Sequence, residues 1–208
     1  MFLPGDGISL FNDPFMKPIL VLDNYDSFTY NLVHLLESLT DLPIEVRRND
    51  ALALSEIDRY GRILLSPGPG LPEEAGLMID LIRATPEATP MLGICLGHQA
   101  LAVASGGRLF HLPEVQHGIS TPMRTIPELD RLGIYQGLPP EILVGRYHSW
   151  MVDDDGLAET WLVNARDAQG RILSMVHAHR PIQGLQYHPE SVMTPVGKQL
   201  LHNWLASC

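Results

Sequence analysis

Three observations predict an α/β fold with a mostly parallel central sheet, helices on both faces and an added antiparallel strand region. Up to Gly106, short apolar runs alternate with segments of helical periodicity. The runs are continuously apolar rather than alternating, as strands covered on both faces require. Beyond Gly106, strand-like pieces succeed one another without long helices.

Residues 18–23 form the first apolar run and end in polar residues, the signature of a buried parallel strand. From Ser27, a plausible N-cap, Phe28, Leu32, Leu35, Leu36 and Leu39 recur at helical spacing. Strands follow at 44–47 and 62–66, the second stopped by Pro67-Gly68-Pro69-Gly70. Residues 73–84 read as a helix with acidic residues in its first turn. A strand at 91–95 runs directly into a helix at 96–105. Strand-like pieces then fall at 119–126, 143–148, 161–165, 172–178 and 183–187, and an amphipathic helix at 194–205 closes the chain. No repeat or linker interrupts residues 16–208, which read as one domain. Residues 1–15 read as an N-terminal extension before Met16; the alternative is a strap that packs Phe11 and Phe15 on the body.

Composition narrows the function. With 14 Lys+Arg against 24 Asp+Glu, the formal charge is −10, which argues against nucleic acid or an anionic membrane as the main partner. Two cysteines, Cys95 and Cys208, exclude a disulfide framework and a Cys-rich zinc site, and fit a reducing, cytoplasmic setting. No apolar run reaches the ~18 residues that span a bilayer, and the first fifteen residues lack the basic and apolar regions of a signal peptide.

The strongest chemical signal is Gly93-Ile94-Cys95-Leu96-Gly97-His98-Gln99, a G-x-C-x-G pattern between a strand and a helix. Its serine counterpart is the nucleophile elbow of hydrolases. So sharp a reversal crowds the backbone, and glycines on either side remove Cβ atoms that would clash. The thiol then lies at the carboxyl end of the sheet, where open α/β folds bind ligands. It also lies at a helix N-terminus, which favours thiolate. The Leu96 N–H points the same way and is a candidate oxyanion donor. The plainer reading is a buried structural cysteine.

A cysteine nucleophile needs a histidine, and the histidine needs an orienting group. Tyr187-His188-Pro189-Glu190-Ser191 supplies both. In an extended segment His188 and Glu190, two apart, project to one side, and Pro189 keeps His188 out of helical geometry. Ser66-Pro67-Gly68-Pro69-Gly70 lacks the spacing and lysine of a phosphate loop; its rigid backbone is a candidate source of a second oxyanion N–H. Other candidates are weaker. His177 and His179 share a strand face without a third ligand, so no metal site is expected. His98 is read as packing beneath the elbow, and Asp153-Asp154-Asp155 as a solvated turn.

These three segments, in this order, resemble the signatures of the triad-type (class I) glutamine amidotransferases, which have a flavodoxin-like sheet. The resemblance implies that Cys95 attacks the side-chain amide carbon of glutamine, with His188 as base and then acid and Glu190 orienting it. It implies an oxyanion hole from the backbones of Gly70 and Leu96. A narrower resemblance lies in the segment from Asp23 to Asn31 and in Arg146-Tyr147-His148-Ser149-Trp150. Both are similar to the glutaminase subunits of anthranilate synthase and aminodeoxychorismate synthase. There glutamine is held by the loop matching Gly68, Pro69 and Gly70, by the residue matching Gln99, and by the backbone matching Ser149 and Trp150. Gln99 is one helical turn beyond Cys95 and so shares its face.

The implied partner is a chorismate-using synthase that takes the ammonia to make anthranilate or, alternatively, aminodeoxychorismate. No cofactor is expected in this subunit, and Mg2+ is expected in the synthase. Where the family carries a lysine after His-Gly, this chain has Ile119 after His117-Gly118, a departure that bears on partner contacts. Competing readings are a stand-alone γ-glutamyl hydrolase and a non-catalytic binding subunit; the first lacks a reason for the segment from Asp23 to Asn31, the second for a complete Cys95, His188 and Glu190.

Overall fold

The computed structural model describes residues 17–207; the extension read at residues 1–15, and Cys208, lie outside the described residues. The elements run β1 (Ile19–Asp23), α1 (Thr29–Glu37), β2 (Ile44–Arg48), β3 (Arg62–Leu65), α2 (Met78–Ala84), β4 (Met91–Ile94), α3 (Leu96–Ala104), β5 (Leu109–Thr125), β6 (Glu141–Val152), β7 (Trp161–Asp167), β8 (Ile172–His177), β9 (Ile182–Leu185) and α4 (Gly197–Ala206). They build one sheet in the order β2-β1-β3-β4-β9-β8-β7-β5-β6. The pairs from β2 to β9 are parallel, and the remainder are antiparallel.

Both faces of the parallel half are covered, which explains its unbroken apolar runs. Ile19 and Val21 face one core with Leu32 and Leu36 of α1 and Leu200, Leu201 and Trp204 of α4. Leu20 and Leu22 face the other, with Met78 and Leu81 of α2 and Ala100 and Leu101 of α3. Alternate residues of one strand thus anchor opposite layers. Each fully buried leucine contributes about 1.5–3 kcal/mol of transfer free energy.

Four expectations are corrected. The helix read at 73–84 is a short 3-10 turn, Pro72–Glu74, followed by α2. Gly76 interrupts it: its φ is +56°, and a Cβ there would meet the Asn49 carbonyl oxygen at 2.5 Å. Ser27 caps no helix; α1 begins after Phe28, whose N–H donates to Asp26 Oδ1 at 2.7 Å. The strand read at 119–126 is the end of the much longer β5, bulged on either side of Gly118 in its pairing with β6. Finally, β9 belongs to the parallel half on one edge, pairing with β4, and to the antiparallel half on the other. It is the seam between the two parts of the sheet.

Candidate active site

Three adjacent parallel strands, β3, β4 and β9, each release one motif at the same carboxyl edge. The loop from Ser66 to Gly70 leaves β3, Cys95 leaves β4, and the segment from Gln186 to Glu190 leaves β9. Strand adjacency therefore gathers residues up to about a hundred positions apart without any long connection.

Cys95 sits at the N-terminus of α3 with φ 52° and ψ −101°, a conformation that costs a β-carbon residue about 1–3 kcal/mol. The surroundings impose it. Cys95 N–H donates to the Leu185 carbonyl at 2.8 Å, and its own carbonyl accepts from Gln99 N–H at 3.1 Å. The flanking glycines let strand and helix touch. A Cβ on Gly93 would come within 2.6 Å of the Gly97 backbone, and one on Gly97 within 2.5 Å of the Leu65 carbonyl oxygen. The Leu96 N–H opens α3 and so has no intrahelical carbonyl to meet.

His188 and Glu190 do pair, but through a turn rather than an extended segment. Ser191 N–H donates to the His188 carbonyl at 3.2 Å, and His188 Nδ1 donates to Glu190 Oε1 at 2.6 Å. The turn is pinned to β6: His188 N–H donates to the Gly145 carbonyl at 3.0 Å. Thr194 Oγ1 donates to the His188 carbonyl and accepts from Gly145 N–H. The rings of Tyr147 and Phe28 pack edge-on against the imidazole, at 4.9 and 5.7 Å. Nε2 is buried, has no aligned hydrogen-bond partner among the described residues, and lies beside the Cys95 thiol. Burial alone would lower the His188 pKa; the charge and hydrogen bonding of Cys95 and Glu190 outweigh it and hold the pKa well above the usual histidine value. Such an imidazole holds its proton beside the sulfur.

A cleft of about 160 Å³ opens over the thiol, lined by Gly68, Pro69, Gly70, Cys95, Leu96, Gln99, Tyr147, His148, Ser149 and Trp150. Every residue expected to hold glutamine is in that lining. Gly70 has φ +75°. The loop is braced from below by Asn24, whose Nδ2 donates to the Ser66 carbonyl at 2.9 Å, and a Cβ on Gly68 would come within 2.6 Å of Asn24 Cβ. A larger depression of about 490 Å³ beside Asp130 and Tyr135 shares none of these residues and contains no nucleophile. Among the described residues no His, Cys, Asp and Glu side chains cluster to hold a metal ion. His177 packs edge-on against Trp161 at 5.1 Å, and Asp154 pairs with Arg166 at 2.7 Å beside the acidic turn. No described helix is long and apolar enough to cross a membrane.

Several contributors escape sequence reasoning. Tyr147 and Phe28, which restrain His188, look like ordinary core aromatics in sequence. Thr194 reads as the start of a helix yet staples two loops. Arg146 is 1% exposed, pairs with Asp167 at 2.9 Å and donates from Nε to His148 Nε2 at 3.2 Å. His148 Nδ1 must then donate to the Trp150 carbonyl, 3.1 Å away.

Two buried histidines carry a pH consequence. Burial pushes His98, set against Gly184, down to about 3. Burial and the Arg146 charge do the same for His148, also to about 3. A depressed folded-state pKa gives stability that is complete above the unfolded value near 6.5 and lost as pH falls towards 3. Over that window each neutral imidazole lowers stability by about 1.4 kcal/mol per pH unit. His188, with its raised pKa, is protonated in both states below pH 6.5 and adds no slope there. Urea unfolding of His98→Leu between pH 6 and 4.5 is therefore expected to show a dependence shallower by about 1.4 kcal/mol per pH unit than wild type. An unchanged slope would mean that His98 is protonated in the fold.

A family model described as Glutamine amidotransferase class-I matches residues 20–208. The chain is 43% identical over 196 residues to anthranilate synthase component 2 of Mycobacterium tuberculosis, covering 91% of this chain and 82% of that one. It is 41% identical over 189 residues to aminodeoxychorismate synthase component 2 of Escherichia coli, covering 90% and 98%. A third relative, the bifunctional protein TrpGD of Thermotoga maritima, is longer: at 39% identity the chain spans 32% of it. Among solved structures, a putative GMP synthase protein from Thermoplasma acidophilum superposes with a TM-score of 0.78 at 26% identity, covering 93% of this chain and 94% of that one.

Proposed function

The chain belongs to the class-I glutamine amidotransferases, and we propose that it is the glutaminase subunit of a chorismate-using synthase, with anthranilate as the product of the complex. The observation that carries the reading is a strained cysteine at a helix N-terminus, a buried His188–Glu190 pair beside it, and one cleft over both.

In this reading the Cys95 thiolate attacks the side-chain carboxamide carbon of glutamine. The oxyanion that forms is met by the N–H groups of Leu96 and Gly70, fixed donors of the kind whose loss costs about 10²–10³-fold in rate. As the C–N bond breaks, His188 Nε2 delivers its proton to the leaving nitrogen, and ammonia departs. A γ-glutamyl thioester remains. Water then attacks it, giving its proton to the same Nε2; the C–S bond breaks, and glutamate leaves. Glu190 holds the imidazole through Nδ1 throughout, as the carboxylate of a triad does. Glutamine lies in the cleft against Gly68, Pro69 and Gly70, beside Gln99 and the backbone of Ser149 and Trp150. No cofactor enters these steps, and Mg2+ belongs to the synthase. A free nucleophilic thiol places the protein in a reducing compartment such as the cytoplasm.

The alternative product is aminodeoxychorismate, supported by the 41% identity to the Escherichia coli component 2 of that synthase. Reconstitution with each synthase partner, fed chorismate and glutamine, separates the two: the cognate pairing raises both glutamine hydrolysis and product. If neither pairing makes product while the chain alone hydrolyses γ-glutamyl amides at full rate, the stand-alone hydrolase reading replaces this one.

A further inference from the structure

We infer that Gln186 is an additional catalytic residue of this site: its side-chain amide donates a hydrogen bond to the Cys95 sulfur and stabilises the thiolate. The inference rests on the glutaminase reading of Cys95 and deepens it. Gln186 follows β9, is fully buried, and places Nε2 3.7 Å from Cys95 Sγ, within the reach of an N–H donor to sulfur.

A neighbouring amide alone would say little, because either end could face the sulfur. Here the orientation is forced by the network. The Trp150 carbonyl can only accept, so the end of the Gln99 amide 2.8 Å from it must be the NH₂. That same NH₂ lies 3.2 Å from the Gln186 side chain, whose facing atom must therefore be its oxygen. The other end of Gln186, the NH₂, then points at Cys95. The second arm of the network agrees. Arg146 can only donate, which makes His148 Nε2 an acceptor and turns its Nδ1–H towards the same Trp150 carbonyl. Two polar ends, the buried Arg146–Asp167 pair and the Trp150 carbonyl, thus leave one consistent direction. A buried donor aimed at sulfur favours the charged form of the thiol.

The other titratable groups about the thiol are His188 and Glu190 after β9, His148 from β6, His98 from α3 and Glu74 beyond Gly70. The two β9-loop groups supply the counter-charge. Gln186 supplies an additional, neutral donor that does not titrate, so its removal shifts the thiol midpoint without adding a second one.

The test is the pH dependence of Cys95 alkylation by iodoacetamide in the full chain, a displacement at carbon that uses neither the cleft nor an oxyanion. Gln186→Met keeps the volume and deletes the donor. It is expected to raise the thiolate midpoint by about one pH unit and so slow alkylation about tenfold below both midpoints, leaving the plateau at high pH unchanged. Glutamine-dependent kcat falls in step, with KM little altered. Gln186→Glu keeps the shape and the acceptor facing Gln99 but sets an oxygen against the sulfur, and raises the midpoint further; it decides the matter if the methionine variant does not fold. A structural disturbance would lower the plateau and leave the midpoint in place, and that result, or an unshifted midpoint in a folded variant, overturns the assignment. A wild type that neither alkylates with a lowered midpoint nor hydrolyses glutamine would instead bring down the glutaminase reading, and this inference with it.

Discussion

Replacing Cys95 by alanine in the assembled synthase complex is expected to reduce glutamine-dependent product by about 10⁴-fold or more, the loss seen when a covalent nucleophile is removed. Product formed from chorismate and added ammonium is expected to stay at the wild-type rate. The two assays differ only in who supplies ammonia, so their divergence isolates the role of the thiol. The change itself is mild for the fold. Cys95 is 6% exposed and packs in an apolar cluster, and alanine relieves part of the crowding at φ 52°. Loss of both activities in a complex that still assembles would contradict the assignment, since a nucleophile confined to this subunit cannot govern the ammonia reaction of another.

A second large effect is expected far from any obvious chemistry, at Gly197. A Cβ there would lie 1.7 Å from the carbonyl oxygen of Pro189, with the rest of the Pro189 backbone close behind. Pro189 stands between His188 and Glu190, in a turn already tied at Gly145 and Thr194. Neither backbone can yield without moving α4 or the turn. Gly197→Ala is therefore expected to cost about 3 kcal/mol or more of stability. It should also lower glutamine-dependent kcat by about tenfold to a hundredfold, because sub-ångström displacement of a positioned base is enough for that. Urea denaturation and steady-state kinetics on the same preparation check both. A variant with wild-type stability and kcat would show that α4 shifts freely beneath the turn. Gln186→Met differs in kind: it is expected to change the thiol and spare the fold.

Local sequence carried much of this site. The glycines at 93 and 97 announce the elbow because only residues without a Cβ allow β4, α3 and β3 to approach so closely. His188 and Glu190 are legible because their spacing lets one turn join them. The cleft residues from Gly68 to Gly70, with Gln99, Ser149 and Trp150, follow from the resemblance and lie together in the structure. Less legible were features that depend on what a residue meets in space. Ser27 has the chemistry of a cap, but Asp26 makes the bond. The acidic first turn at residue 73 suggests a continuous helix, which Gly76 breaks where it wedges against Asn49. Gln186 looks like a strand terminus, and no local pattern says that its amide must face a sulfur 91 positions away.

By itself, the sequence determined the alternation of strands and helices, the reversal at Cys95, the His188–Glu190 pairing and the family. All of these rest on contacts within a few residues, or on apolar periodicity, which the chain encodes locally. The tertiary structure decided the order β1-β3-β4-β9, and with it that three loops distant in sequence share one carboxyl edge. It also decided which way each buried amide points. Strand order is the outcome of competition among many similar apolar faces, and amide direction is set by a network that closes only once every member is in place.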